Sequence, residues 1–426
     1  MVQRLLSIAL ALLLVAACGS APAAPGLLSG VQPLQPLVLW HALPPQATET
    51  LLEQVEQFNA HNPWGIRLAV ERLSTPAALR AQLKAAAVRG RLPDLALLEP
   101  ADLGEVLNTG GLVDLRPYAD DPQEGLDRAD RDDLLPLFFG DGAAPWVGAP
   151  AYLHLFVLYY NVDWLAQLGA APPSNWEDFR QLCLNAVATT NALDHVGYVY
   201  VEDEALFLSW LWGRGGDALS GDGRHVAFHS QAGLDALYLL NELVKSGCAY
   251  VGDGATARDD FAHGRALFTF ASTAELEAYR KAIKDAAILN RWAIAAPPHT
   301  AEQPVILASG PYWTIWRTTP ERQRAAWRVI RWFTSPTIAA GWAYRLHALP
   351  VRASAARALS ATLIDDRPMQ VALDLLSVAR SEPVLPGWGD VRRLMAQALT
   401  QAAHGVPPDQ ALNQAADLAE RILSPR

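Results

Sequence analysis

Cysteine is scarce in this chain, with three residues among 426, at positions 18, 183 and 248. So few thiols exclude a disulfide-stapled scaffold, and their spacing offers no metal-binding array. After the first stretch of the chain no apolar run is long enough to cross a bilayer, which points to a globular body. Positive charge is also short, at 34 Lys and Arg against 44 Asp and Glu, for a formal net charge of -10. That balance argues against nucleic acid and against a large anionic partner, and favours a neutral or cationic one. Catalytic signatures are missing too: there is no Gly-x-Ser-x-Gly elbow, no His-Glu-x-x-His helix and no phosphate loop. The adjacent carboxylates Asp132-Asp133 and Asp365-Asp366 lie in polar sequence without an apolar shell to split their pKa values. They read as solvated charge rather than as the acid and base of a hydrolase.

What is present begins at the N-terminus. Arg4, an apolar run over residues 5–14 and then Val15-Ala16-Ala17-Cys18 resemble a bacterial lipoprotein signal. The apolar run is too short to span a membrane, so residues 1–18 are expected to be a signal that leaves Cys18 lipidated. Residues 19–36, rich in Gly, Ala, Ser and Pro, read as a flexible tether. The protein is then expected outside the cytoplasm, anchored to the membrane through Cys18, at the cell surface or in the periplasm. Cys183 and Cys248 sit in apolar helical sequence and are expected as two buried thiols, although spacing alone leaves a single bridge open.

The remaining length of about 390 residues is too large for one core and favours two lobes. The body opens strand (37–40), helix (48–59), strand (66–70), helix (76–89), strand (94–98), an order that predicts a mostly parallel sheet. An acidic stretch at 120–133 reads as surface. The apolar run 153–160 suits a strand buried on both faces and a first passage between lobes. Ser174 with Glu177 reads as a capping box for the next helix. An apolar strand region at 305–316 is broken by Ser309-Gly310-Pro311, and His347-Ala348-Leu349-Pro350-Val351 reads as the last passage, followed by helices only.

In order, these landmarks resemble the family 1 extracellular solute-binding proteins of ABC importers, the maltose-binding-protein-like group. The resemblance rests on Val38-Leu39-Trp40-His41, Asn62-Pro63, Pro93-Asp94-Leu95, Gly110-Gly111-Leu112, Leu158-Tyr159-Tyr160-Asn161, Pro172-Pro173-Ser174-Asn175-Trp176-Glu177, Phe333-Thr334-Ser335-Pro336 and Leu349-Pro350-Val351-Arg352. It implies an α/β, two-lobe, periplasmic-binding-protein-like fold of type II, with mostly parallel sheets flanked by helices and C-terminal helices. Residues 37–152 and 306–350 would form the N-lobe, and residues 153–305 and 351–426 the C-lobe. The implied function is capture of a carbohydrate, an oligosaccharide in first place, in the cleft between lobes, and its delivery to ABC transporter permease subunits by a monomer without cofactor or metal.

Fourteen tryptophans point to sugar, because flat rings pack on C-H faces while hydroxyl edges need fixed polar partners. Matched to the family pattern, the candidate ligand-binding residues are Trp40, His41, Glu99, Tyr152, His154, Phe207, Trp210, Tyr312, Trp313 and Trp388. Trp388, Trp313 and Trp40 lead them. Trp327, Trp332 and Trp176 fall at helical spacing and read as core; Trp210, His41 and His154 fit structural roles equally well, and Glu99 fits a surface acid. The loop 271–274 lacks the Gly or Trp that the family places there, which opens the solute class to other sugars, glycerol phosphodiesters, polyamines or another non-sugar solute. Tyr159-Tyr160 offer phenols for ferric ion, but no further ligand set accompanies them. A scaffold lipoprotein would share the anchor and charge without needing passages between lobes.

Overall fold

The computed structural model describes residues 36–140, 145–188, 195–288, 290–300 and 303–424. The expected signal with Cys18, and the tether up to residue 35, lie outside the described residues. Among them, twelve strands form two sheets. The first is ordered β2-β1-β3-β11-β4, from β1 (Leu37–His41), β2 (Leu68–Arg72), β3 (Leu95–Leu98), β4 (Ala149–Pro150) and β11 (Tyr312–Ile315). The second is ordered β12-β10-β5-β8-β6-β7, with β9 also paired to β5. Its strands are β5 (His154–Asn161), β6 (Val196–Val201), β7 (Ala249–Gly252), β8 (Ala266–Ser272), β9 (Trp292–Ala295), β10 (Ile306–Ser309) and β12 (Ala379–Ser381).

Local chemistry explains the opening βαβαβ run. Helix Pro45–His61 buries Leu51, Val55 and Phe58 at helical spacing. Helix Pro76–Arg89 starts at Thr75, whose hydroxyl accepts the Ala78 N–H at 3.1 Å, and stops at Gly90 in the left-handed conformation. β1 pairs in parallel with β2 and β3. Parallel pairing is less general than expected, because strands delivered from the other lobe run backwards: β11 is antiparallel to β3 and β4, and β5 is antiparallel to β8, β9 and β10.

Several expectations need correction. The lobe boundary placed at residue 306 moves to Gly310, since β10 pairs with β5 and β12 in the second sheet and only β11 returns to the first. The segment after residue 351 is not helical throughout, because β12 extends the second sheet by three residues, too short for an apolar period to reveal. Helix Trp176–Ala188 is capped by Asn175 rather than Ser174: the Asn175 side chain accepts the Asp178 N–H at 2.9 Å, and Glu177 instead pairs with Arg180. The acidic stretch is only partly surface. Asp130 and Asp133 pair with buried Arg352, and Glu124 receives Arg328. Cys183 and Cys248 are buried free thiols, as favoured, with the Cys183 thiol donating to the Cys248 carbonyl at 3.1 Å.

Three passages between the lobes lie side by side among the described residues. Ala151 donates to the Pro311 carbonyl at 2.8 Å, and Leu153 and Leu349 exchange N–H···O bonds of 2.8 Å in both directions. Gly310 makes the middle passage possible. Its φ is 143°, and a Cβ there would sit 2.2 Å from the Tyr152 carbonyl oxygen, so no other residue fits without moving the neighbouring passage.

Candidate functional site

An interlobe hollow of about 330 Å³ lies between residues of the two lobes. Tyr312, Trp146 and Gly148 of the first lobe line it, with Leu137 and Phe139 from the short turn before them, and Arg380, Ser381 and Glu382 face them from the second. A wider groove along helices Trp388–Ala403 and Pro408–Leu423 contains no strand-end residue and is set aside.

Glu99 follows β3 directly, at the mouth of the first passage. Its Oε2 accepts the Gly310 N–H at 3.2 Å, leaving the other oxygen without a protein hydrogen bond among the described residues. The carboxyl is reached by solvent on one side while cleft walls strip water from the rest, and this desolvation raises its pKa to about 7. Nearby Asp102 and Glu382 push the same way, and Arg392 pulls back.

Glu382 is buried and held from two sides of its own lobe. Its Oε2 accepts the Trp388 indole N–H at 2.8 Å and lies 3.1 Å from Arg392 Nε. Burial is the main cause of its raised pKa, and Arg392 opposes it. Tyr312 connects the lobes directly by donating its hydroxyl to Ser381 Oγ at 2.7 Å. Tyr152 and His154 meet edge to face with centroids 5.6 Å apart; burial lowers the His154 pKa to about 4, so its imidazole is neutral.

Of the ten expected residues the structure brings Tyr312 to the lining of the hollow; Glu99 lies close by against Gly310, Tyr152 and His154 stay at the first passage, and Trp388 is tied to the hollow through Glu382. The leading tryptophans are not open plates. Trp388 and Trp313 are 0% exposed and Trp40 7%. Trp388 is the first residue of its helix, and Gly387, at φ 81°, turns the chain so that the ring enters the second-lobe core. Trp313 faces the other side of β11 from Tyr312 and packs on Phe333 and Trp342. Trp40 lies beneath Tyr312 in a small first-lobe cluster. Phe207 and Trp210 are fully buried far up the second lobe, Trp210 against Trp176, Tyr198 and Phe270. His41 is fully buried; its Nδ1 accepts the Leu43 N–H at 3.1 Å, and burial with Arg72 nearby lowers its pKa to about 4.

Sequence reasoning missed Phe139, Trp146, Arg380, Ser381 and Glu382, which line the hollow, and Arg392, which pairs with Glu382 behind it. Glu382, a lone acid just before Pro383 and Pro386-Gly387-Trp388, was the available signal. The small loop after β8 has a different task from ligand stacking: Thr273 Oγ1 accepts the Leu155 N–H at 3.0 Å and braces β5.

A pH prediction follows from Glu99. A carboxyl with a raised folded pKa adds stability that is complete below its free value of 4.5 and is lost as pH rises through about 7. The melting temperature of solute-free Glu99→Gln relative to the wild type should therefore rise across that window. Parallel melting curves for the two proteins from pH 4.5 to 7 would refute the assignment.

Comparison with known proteins places this geometry. A candidate binding protein of Brucella abortus (strain 2308) is 25% identical over 393 residues, covering 88% of this chain and 90% of its own. The cyclic alpha-maltosyl-1,6-maltose binding protein of Arthrobacter globiformis superposes with a TM-score of 0.79 at 19% identity, covering 91% of this chain and 99% of that one. The sugar-binding protein MalE of Xanthomonas citri gives 0.77 at 20% identity, covering 91% and 97%. UgpB of Mycobacterium tuberculosis, in complex with glycerophosphocholine, gives 0.75 at 20% identity, covering 91% and 98%. These structures share the two-lobe fold. Residues 53–370 match the family described as bacterial extracellular solute-binding protein, and this chain belongs to that family.

Proposed function

We propose that this chain is the substrate-binding lipoprotein of an ABC importer, which takes a short saccharide into the interlobe hollow and hands it to membrane permease subunits. The observation that carries this reading is one hollow in which the half-buried Phe139 ring and the edges of the buried Tyr312 and Trp146 rings meet the polar groups of Ser381, Glu382 and Arg380. A volume of about 330 Å³ sits near the lower end of small-molecule sites, which favours a short guest. Structural neighbours named for maltosyl-maltose and sugar binding support the same class. Anchorage through Cys18 supplies the extracytoplasmic position such a protein needs, and the family's name agrees with that side of the membrane.

A phosphodiester and ferric ion fit less well. A phosphodiester would meet Glu382 with Glu99 close by, while Arg392 is engaged by Glu382 and Arg380 by Asp217 at 2.7 Å. For ferric ion, the Tyr159 hydroxyl is spent on the Ser272 carbonyl at 2.9 Å, inside the sheet. The carboxylate pairs weighed for hydrolysis are structural: Asp133 binds Arg352 and Ser354, and Asp366 caps a helix and pairs with Arg280.

A thermal-shift screen across mono- and oligosaccharides, polyols, glycerophosphodiesters, polyamines and ferric salts tests the assignment. The matching sugar at a hundredfold its Kd should add about 2.7 kcal/mol of stability. A shift with a glycerophosphodiester and with no sugar would move the assignment to that solute, and no shift with any sugar would refute carbohydrate capture.

A further inference from the structure

Beside the hollow the lobes touch along a short segment and the start of the helix that follows it. Residues 381–388 leave β12 and enter helix Trp388–Ala403, both in the second lobe, yet the segment is pressed onto the first. Ser381 accepts the Tyr312 hydroxyl. Val384 packs against the first-lobe cluster of Trp40, Leu98, Leu103 and Tyr312. In the reverse direction, Ala101 of helix Pro100–Val106 packs against the second-lobe core. The backbones themselves come together at Gly104, where an added Cβ would lie 2.3 Å from the Leu385 carbonyl oxygen. A glycine inside a helix costs stability, and here its lack of a side chain lets the two lobes meet.

We propose that residues 381–388 act as a strap that holds the lobes together before solute enters, with Gly104 as the positioning residue that permits it. The apolar contacts and the Tyr312–Ser381 bond need no guest, so they favour the closed arrangement of the empty protein. Solute affinity is then set partly by lobe-to-lobe contacts already made without the solute, because binding no longer has to supply the whole closing energy. The strap gains its purpose from the solute-binding reading, but its test needs no solute.

The geometry supplies a direct probe. A Cβ built at Gly389 would lie 4.0 Å from that of Ala101, within the range of disulfide-linked residues. In the full chain carrying Ala101→Cys and Gly389→Cys, with copper phenanthroline as oxidant and no solute, the interlobe bridge should form rapidly, as read by peptide mapping under non-reducing conditions. Adding Gly104→Ala should slow it about tenfold, although alanine is the better helix former. Bridging only in the presence of solute, or at an unchanged rate with Gly104→Ala, would overturn the strap. Gly104→Ala alone gives a second reading without new thiols. Amide exchange across residues 381–388 should rise about tenfold over the wild type, and equal exchange would overturn the proposal.

Discussion

Replacing Trp388 with alanine should lower the stability of the solute-free protein by about 3–5 kcal/mol, the range for emptying a fully buried large aromatic site. The ring is enclosed by the second-lobe core, which includes Val391, Met395 and Leu399 of its own helix. Its loss also removes the indole donor from buried Glu382, adding the cost of a carboxyl left short of a partner. Urea unfolding without solute measures the effect. A variant that unfolds like the wild type but fails to bind sugar would instead place the ring in the cleft. The structure therefore gives Trp388 a different role from the stacking plate its position after Pro386-Gly387 implied.

The second large effect is expected at Arg352, which is 3% exposed and follows the third passage. Its guanidinium reaches Asp130 at 2.8 Å and Asp133 at 3.3 Å, and its Nε donates to the Thr334 carbonyl. Partial burial works against the Asp133 charge, but hydrogen bonds from Ser354 and Arg352 hold its pKa below the usual carboxylate range. Arg352→Ala takes the shared cation from two half-buried carboxylates, leaving Asp130 with Arg331 and Asp133 with Ser354, so the loss should fall near the lower end of the range for breaking a buried pair, about 3 kcal/mol. Urea unfolding should show that loss, and Arg352→Lys should recover only part of it because an ammonium lacks the planar fork. A loss below about 1 kcal/mol in Arg352→Ala would mean that the pair behaves as surface charge.

Much of the architecture was legible because strong periodicity and punctuation coincide. The helix expected over 76–89 is found there, opened by Thr75 and closed by Gly90, and Ser309-Gly310-Pro311 separates two strands where the apolar run is interrupted. The errors arose where a residue's neighbours are distant in sequence. No local pattern shows that residues 379–381 will add to β10, or that Asp130 and Asp133 will meet Arg352. At the site, chain position predicted proximity better than orientation. Tyr312 lines the hollow and Glu99 ends up close to it, whereas Tyr152 and His154 stay at the first passage. Adjacent strand positions point to opposite faces, so Tyr312 lines the hollow while Trp313 is directed into the core. An abundance of indole signalled a ring-rich protein without saying which rings remain open.

The hydrogen bonds among the three passages have a mechanical consequence. Connectors joined edge to edge twist as a single ribbon, so sliding or splaying of one lobe past the other would break bonds that a shared rotation preserves. A rotation shared by all three connectors is the relative movement of the lobes that would keep these bonds, and Gly310, close against Tyr152, couples the middle connector to its neighbour.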